Sequence, residues 1–253
     1  MSMPVALVRP VPAAYASCLR HDREPIDVSV ARRQHAGYVS ALRDAGYEVV
    51  TLPALDDAPD SVFVEDPVVV LDRHAVLARA GAASRRVEVA SIAPALDGFE
   101  LVTMTAPATL DGGDVLRMGR RLFVGISERT NRSGFEVLAA VARSEGIEAT
   151  AVALAAGLHL KSFCSGLGDA VIGCFDRIDR TAFEGIETID APELAGANLL
   201  DLGAHVLVSA AAPKTAALAG ERARVVDVGE FHKGDGALTC LSIRLTPPRR
   251  TGR

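Results

Sequence analysis

A repeat constrains this chain more than any other feature. A hairpin, a helix and a strand recur in that order about every fifty residues. The hairpins start near Glu65-Asp66, Gly113-Asp114 and Gly168-Asp169, and the later spacing is less even. Such a period of mixed helix and strand suits neither a helical solenoid nor an open dinucleotide-binding sheet. A few such units can close into a ring, with functional groups at a central channel. The sequence contains no GxGxxG or GxxxxGK[ST] loop, so nucleotide binding has no support.

The elements read as follows along the chain. Pro4–Val8 is a buried strand. Ala13–Pro25 is a loop or weak short helix, and its small and charged residues suit either a movable lid or a plain connection. Asp27 or Ser29 caps a helix to about Ala45, which Gly46 stops. Tyr47–Leu52, Val62–Leu71, Ala75–Ala78 and Phe99–Met104 are expected strands, with a short helix from Ser84 to Ser91. Asp114–Met118 and Arg121–Val124 form a hairpin. Ser133 with Glu136 gives a capping box for a helix ending near Gly146, and Ile147–Leu154 is the next strand. His159–Phe163 with Asp169–Cys174, and Leu199–Leu202 with His205–Ser209, form two more strand pairs. Pro213 opens a helix through about Ala223, and Arg224–Val228 and Ala237–Leu245 are the last strands. No Pro/Gly/Ser-rich linker divides residues 1–253, so one domain is expected, with a short basic tail at about 247–253.

Bulk properties narrow the class. Hydrophobic residues make up 49% of the 253 and charged ones 23%, enough for a substantial core. The formal charge is −5 and no long basic run exists, so a nucleic-acid partner is not expected. No apolar run approaches the ~20 residues of a membrane span. The N-terminus has no basic leader and reads as a strand, not a signal peptide. Cysteines 18, 164, 174 and 240 lack metal-site spacing and read as reduced thiols of a cytoplasmic protein.

Four stretches carry unusual chemistry. In Asp60-Ser-Val-Phe-Val-Glu65-Asp66, acidic side chains interrupt an apolar segment. Internal arginines such as Arg85, Arg86 or Arg129 can neutralise them, or a planar external cation can. Strand alternation sends Asp60 and Asp66 to one face and Glu65 to the other. In Leu110-Asp111-Gly-Gly-Asp114, the glycines let the backbone come close to something, or simply make a turn. His159 lies between two leucines, as a satisfied core residue or as a proton shuttle. Cys240, in an apolar stretch, is a small hydrophobe or a nucleophile. A nucleophilic cysteine needs a thiolate, a proton carrier and a group that orients the carrier, and Asp111, His159 and Cys240 supply that set.

Taken in order, these motifs resemble the dimethylarginine dimethylaminohydrolase family, within the guanidino-modifying, arginine deiminase-like superfamily. The matching segments are Pro59-Asp-Ser-Val-Phe-Val-Glu-Asp66, Gly81-Ala-Ala-Ser-Arg-Arg86, Ala108-Thr-Leu-Asp-Gly-Gly-Asp-Val-Leu116, Leu122-Phe-Val-Gly125 with Arg129-Thr-Asn131, Gly157-Leu-His-Leu-Lys-Ser162 and Asp235-Gly-Ala-Leu-Thr-Cys240. The resemblance implies an α/β fold, a five-bladed propeller of ββαβ units (the pentein fold). It implies that Cys240 attacks the guanidinium carbon, that His159 protonates the departing methylamine and then activates water, and that Asp111 orients His159. It places Glu65 and Asp66 beside the substrate guanidinium. Asp60, Arg85 and Arg129 then grip the amino-acid end, Gly234 and Asp235 contact the substrate just before the nucleophile, and Leu19 belongs to a lid. The Ala13–Pro25 loop is slightly shorter than the family pattern, and Asp111 stands where some relatives have glutamate.

The expected partner is therefore a small guanidine, with no cofactor, no metal, no membrane and a monomer or homodimer as the working form. The expected reaction is hydrolysis of Nω-methylated arginine to citrulline and a methylamine. The alternatives are a deiminase or hydrolase acting on free arginine or another small guanidine, and a non-catalytic guanidine-binding module. Zinc captured by Cys240 and His159 is expected to inhibit.

Overall fold

The structure is a computed structural model that describes residues 3–155 and 157–245; the expected basic tail lies outside the described residues. Among the described residues the strands form five three-stranded sheets. In each sheet the inner strand pairs antiparallel with the middle one, and the middle strand pairs parallel with the outer one. In strand order, blade one is Val68–Val70, His74–Leu77 and Glu100–Thr103. Blade two is Val115–Met118, Arg121–Ile126 and Glu148–Ala153; blade three is Cys164–Leu167, Ala170–Gly173 and Thr188–Asp190. Blade four is Leu200–Asp201, Val206–Ser209 and Ala223–Val226. Blade five closes the ring by pairing the C-terminal Ile243–Leu245 with the N-terminal Val5–Val8, whose outer neighbour is Glu48–Thr51.

Burial explains the closure. Successive side chains of a strand point to opposite faces, and the middle strands use both faces. Leu7 packs with blade one while Ala6 and Val8 pack with blade four. Val76 and Ala78 join blade two, but Ala75 and Leu77 join blade five. Phe123, Val171 and Ile172 continue the pattern around the ring. Each apolar cluster thus sits between two neighbouring blades, which is why the middle strands read as continuous hydrophobic runs. This is the five-bladed α/β propeller that the sequence motifs implied.

The helices follow their caps. Helix α1, Val28–Asp44, starts where the Asp27 carboxylate accepts from the backbone N–H groups of Ser29 and Val30, and it stops before Gly46 at φ 87°. Helix α2, Arg132–Ser144, is capped by Asn131 and not by the expected Ser133 box: the Asn131 side chain accepts from Gly134 N at 2.8 Å. Helix α3, Pro213–Ala219, ends at Gly220, short of the expected Ala223. No helix among the described residues is long and apolar enough to cross a membrane.

One expected strand is a turn instead, and two others begin as turns. Residues 60–67 form successive turns, with bonds such as Phe63 N to Asp60 O at 2.9 Å, and the strand begins only at Val68. Leu160–Ser162 is a single 3-10 turn before the strand Cys164–Leu167. Thr239–Leu241 is another, so Cys240 lies in a turn just ahead of the strand Ile243–Leu245. Each carries apolar side chains because the turn is buried, and burial alone does not separate a strand from a turn.

Candidate active site

Those three turns come together. Of the residues that the resemblance assigned to the site, all except Asp111 and Glu65 line one narrow cleft, together with Phe63, Leu158 and Gly236. Its free volume is about 20 Å³, near the room needed by one water. A wider depression of about 610 Å³ lies between α1 and the outer strand of blade four, but its walls hold no thiol and only one imidazole, His205. The chemistry therefore concentrates in the narrow cleft.

The paired glycines make His159 possible. A Cβ on Gly113 would fall 2.6 Å from His159 Nδ1 and 2.8 Å from Asp66 Oδ1, and one on Gly112 would fall 2.1 Å from the Glu65 carbonyl oxygen. Only a chain without side chains passes between these groups. Gly113 N also donates to Asp66 Oδ1 at 2.9 Å, and Gly112 N to the Asp66 carbonyl at 2.9 Å.

His159 is buried among carboxylates. Its Nε2 lies 3.1 Å from Asp111 Oδ2, and Nδ1 lies 3.9 Å from Asp66 Oδ1. Asp111 is itself fixed, because Oδ1 accepts from Gly81 N at 3.0 Å. Burial works against charge on the imidazole, but Asp66, Asp111 and Asp114 outweigh it and push its pKa up to about 9. Burial likewise opposes charge on Asp66; His159, Arg85 and the Gly113 N–H outweigh it and bring its carboxyl down to about 2. Asp66, Asp111 and His159 hold potential ligand atoms within 4.8 Å of one another, a spacing that suits a divalent ion.

Cys240 has a different setting. Its backbone is pinned, with Cys240 N donating to Ala237 O at 3.2 Å and Glu65 N donating to Cys240 O at 3.2 Å. Burial, then Glu65 and Asp66, push the thiol up to about 12, so it rests uncharged. The approach to it is flat by necessity. A Cβ on Gly236 would lie 2.2 Å from the Phe63 ring, and one on Gly234 would lie 2.6 Å from Tyr15 Oη. Asp235 between them has φ 56°, a left-handed conformation uncommon outside glycine.

The remaining acidic and basic groups divide. Arg85 is buried and committed to internal partners: its guanidinium donates to Asp66, to both oxygens of Glu88, and to the Asp60 and Phe63 carbonyls. Arg129 is half-buried, and among the described residues its guanidinium has no hydrogen-bonded partner, although it lines the cleft. Burial raises the Asp60 carboxyl; Arg85, the Leu19 N–H and Arg129 pull it back. Leu19 N donates to Asp60 Oδ1 at 3.1 Å, and Asp235 Oδ2 accepts from His21 N at 2.7 Å and lies 2.8 Å from its Nδ1. The loop expected as a lid is thus fastened over the cleft at Leu19 and His21. Glu65, expected beside the guanidinium, does not line the cleft: in a run of turns rather than a strand, its side chain pairs with Lys161 and with Thr239 Oγ1.

Several residues with structural claims on this site carried no role in the sequence reading. Asp114 is fully buried: Oδ1 accepts from Leu160 N at 2.9 Å, and Oδ2 accepts from Thr130 Oγ1 at 2.6 Å. Thr130 Oγ1 in turn accepts from Asp111 N at 3.1 Å. Lys161, Thr239 and Asn198 link the segments behind the thiol. Only the position of Asp114, two glycines after Asp111, offered a signal in the sequence.

Comparison with known proteins agrees with this arrangement. The family model described as "N,N dimethylarginine dimethylhydrolase, eukaryotic" matches residues 15–182. The N(G),N(G)-dimethylarginine dimethylaminohydrolase of Streptomyces coelicolor is 41% identical over 249 residues, covering 95% of this chain and 96% of that protein. The chain belongs to the dimethylarginine dimethylaminohydrolase family. The Pseudomonas aeruginosa relative is 32% identical over 227 residues, 86% of this chain and 89% of that protein. A solved mutant of the Pseudomonas aeruginosa enzyme complexed with citrulline superposes with a TM-score of 0.91 at 29% identity, covering 97% of this chain and all (100%) of that one. The N-terminal domain of an arginine dihydrolase from cyanobacteria has the same fold at 21% identity, with a TM-score of 0.85. Family membership makes this chain a hydrolase.

Proposed function

We propose that this chain hydrolyses Nω-methylated arginine to citrulline and a methylamine, with Cys240 as nucleophile and no cofactor. The observation that carries the reading is His159, held between Asp111 and Asp66 in the same acid-lined cleft as Cys240.

The substrate guanidinium lies against Asp66. Its positive charge offsets the field of Glu65 and Asp66 that keeps the thiol neutral, so Sγ gives up its proton to solvent only when substrate is present. The thiolate adds to the guanidinium carbon and an S–C bond forms. His159, already protonated, gives a proton to the methylated nitrogen; the C–N bond breaks and the methylamine leaves. Nδ1 serves this transfer, because Nε2 is committed to Asp111. The neutral imidazole then takes a proton from water, whose oxygen adds to the same carbon. The S–C bond breaks as the hydroxyl proton passes to Sγ, which restores the thiol, and citrulline departs.

Asp60, Arg129 and Asp235 hold the amino-acid end, with Leu19 and Gly234 closing around it. Arg85 serves by fixing Asp66 and the turn at Asp60. All these groups come from one chain, so a monomer or homodimer can carry the chemistry as a single catalytic domain. The four unbridged cysteines suit work in the reducing cytoplasm.

The test is citrulline release from dimethylarginine, monomethylarginine and free arginine. The reading expects turnover of the methylated forms to exceed that of arginine. Turnover of arginine alone would move the chain to the deiminase alternative, and binding without turnover would end the hydrolase reading.

A further inference from the structure

His159 and Cys240 sit on segments that enter different blades. His159 precedes the inner strand of blade three, and Cys240 precedes that of blade five. Asn198, buried just before the inner strand of blade four, touches both segments. Its Nδ2 donates to the Lys161 carbonyl at 2.8 Å and to Thr239 Oγ1 at 3.0 Å, while its Oδ1 accepts from Thr239 N at 3.1 Å. The two backbone partners, one acceptor and one donor, fix which end of the amide is oxygen. Thr239 Oγ1 then donates to Glu65 Oε2 at 2.9 Å, and Glu65 Oε1 accepts from Lys161 Nζ. The result is a closed ring of four residues. It spans from two positions after His159 to one position before Cys240.

We propose that Asn198 is a positioning residue: its carboxamide fixes the spacing between the segment that carries His159 and the turn that carries Cys240. The site needs two donors and one acceptor in one plane. Aspartate has the shape without the donors, and leucine has neither. The proposal rests on the hydrolase reading, because the spacing matters only if sulfur and imidazole act on one substrate.

The experiment compares wild type, Asn198→Asp, Thr239→Val and the double variant. For each, kcat and KM for dimethylarginine are measured, the Cys240 adduct is followed by mass spectrometry during turnover, and alkylation by 2-chloroacetamidine is timed. Asn198→Asp is expected to lower kcat on the order of 10²-fold with little change in KM, as a small misplacement of reacting groups does. Alkylation, which needs the thiol and the acidic cleft but no proton delivery, is expected to change less than about threefold by the same reasoning. The substrate adduct should therefore accumulate on Cys240. Thr239→Val removes one link and should cost less, and the double variant should be no worse than Asn198→Asp alone, because both act through one ring.

A kcat for Asn198→Asp equal to wild type, or turnover and alkylation falling together, overturns the proposal. So do additive losses in the double variant. If Asn198→Asp does not fold, Thr239→Val decides alone, and an unchanged kcat there overturns it. A wild-type chain that makes no citrulline ends the hydrolase reading and this proposal with it; a wild-type rate matched by Asn198→Asp ends this proposal alone.

Discussion

Cys240 and His159 line the same cleft and feel the same carboxylate, yet the effect on each is opposite. Asp66 raises both pKa values. For an imidazole a raised pKa means a charge held ready; for a thiol it means a charge withheld. His159 reaches about 9 because Asp66, Asp111 and Asp114 surround it, and Nε2 has a bonded partner. Cys240 reaches about 12 because burial and two acids disfavour the thiolate, and among the described residues no side chain hydrogen-bonds its sulfur. In the proposed reaction the acid is prepared in advance, while the nucleophile waits for a cation.

The first way to break the contrast is to remove the sulfur. Cys240→Ser should lower citrulline production on the order of 10⁴-fold or more without lowering the melting temperature, and substantial residual turnover would refute the nucleophile. Removing the prepared acid comes next. His159→Asn should cost about 10²–10⁴-fold in turnover, with substrate adduct accumulating on Cys240; a near-normal rate would show that the proton has another source.

Asp66→Asn sharpens the contrast, because one change should act on both groups in the same direction. The thiol becomes easier to ionise, so iodoacetamide should alkylate Cys240 roughly tenfold faster at pH 8 for each unit its pKa falls. Methylarginine turnover should drop, because the guanidinium loses its partner. Slower alkylation would mean that Asp66 does not keep the thiol neutral. Arg129→Ala probes the far end of the cleft, where a guanidinium stands without a hydrogen-bonded partner among the described residues. It should raise KM about tenfold and leave kcat nearly unchanged, as loss of uniform binding does.

The smallest expected effect is on stability against pH. The carboxyl of Asp66 is held near 2, below its ordinary 3.8. Its contribution is full above the unfolded value and lost as pH falls toward 2. His159 is raised from 6.5 to about 9. Its contribution is full below the unfolded value and lost as pH rises through about 9. Because the two share one contact, melting temperature should fall at both ends, and His159→Asn should flatten the alkaline side.

Much of this was legible in the sequence, but unevenly. The period of the hairpin–helix–strand repeat led to a ring of blades, and the structure closes that ring by burying both faces of the middle strands. The Gly112-Gly113 pair announced a close backbone approach; what it approaches, the Glu65 carbonyl and the His159 ring, emerges only in three dimensions. Asp66 left a choice between an internal arginine and an external cation, and the structure shows Arg85 on Oδ2 with Oδ1 facing His159. Segments 62–67 and 237–242 imitated strands because their side chains are buried by turns. Asn198 gave no sign at all: its partners are backbone groups and a hydroxyl 37 and 41 residues away, and nothing in local sequence reports them.

The central claim is that the thiol rests neutral and ionises when a guanidinium arrives. It is read directly from thiolate absorbance near 240 nm, taken as the difference between wild type and Cys240→Ser. The account predicts no difference at pH 7 in the free protein and a clear one once a non-hydrolysable alkylguanidine is bound. A full thiolate signal at pH 7 without ligand, or none with the cation in place, would contradict it.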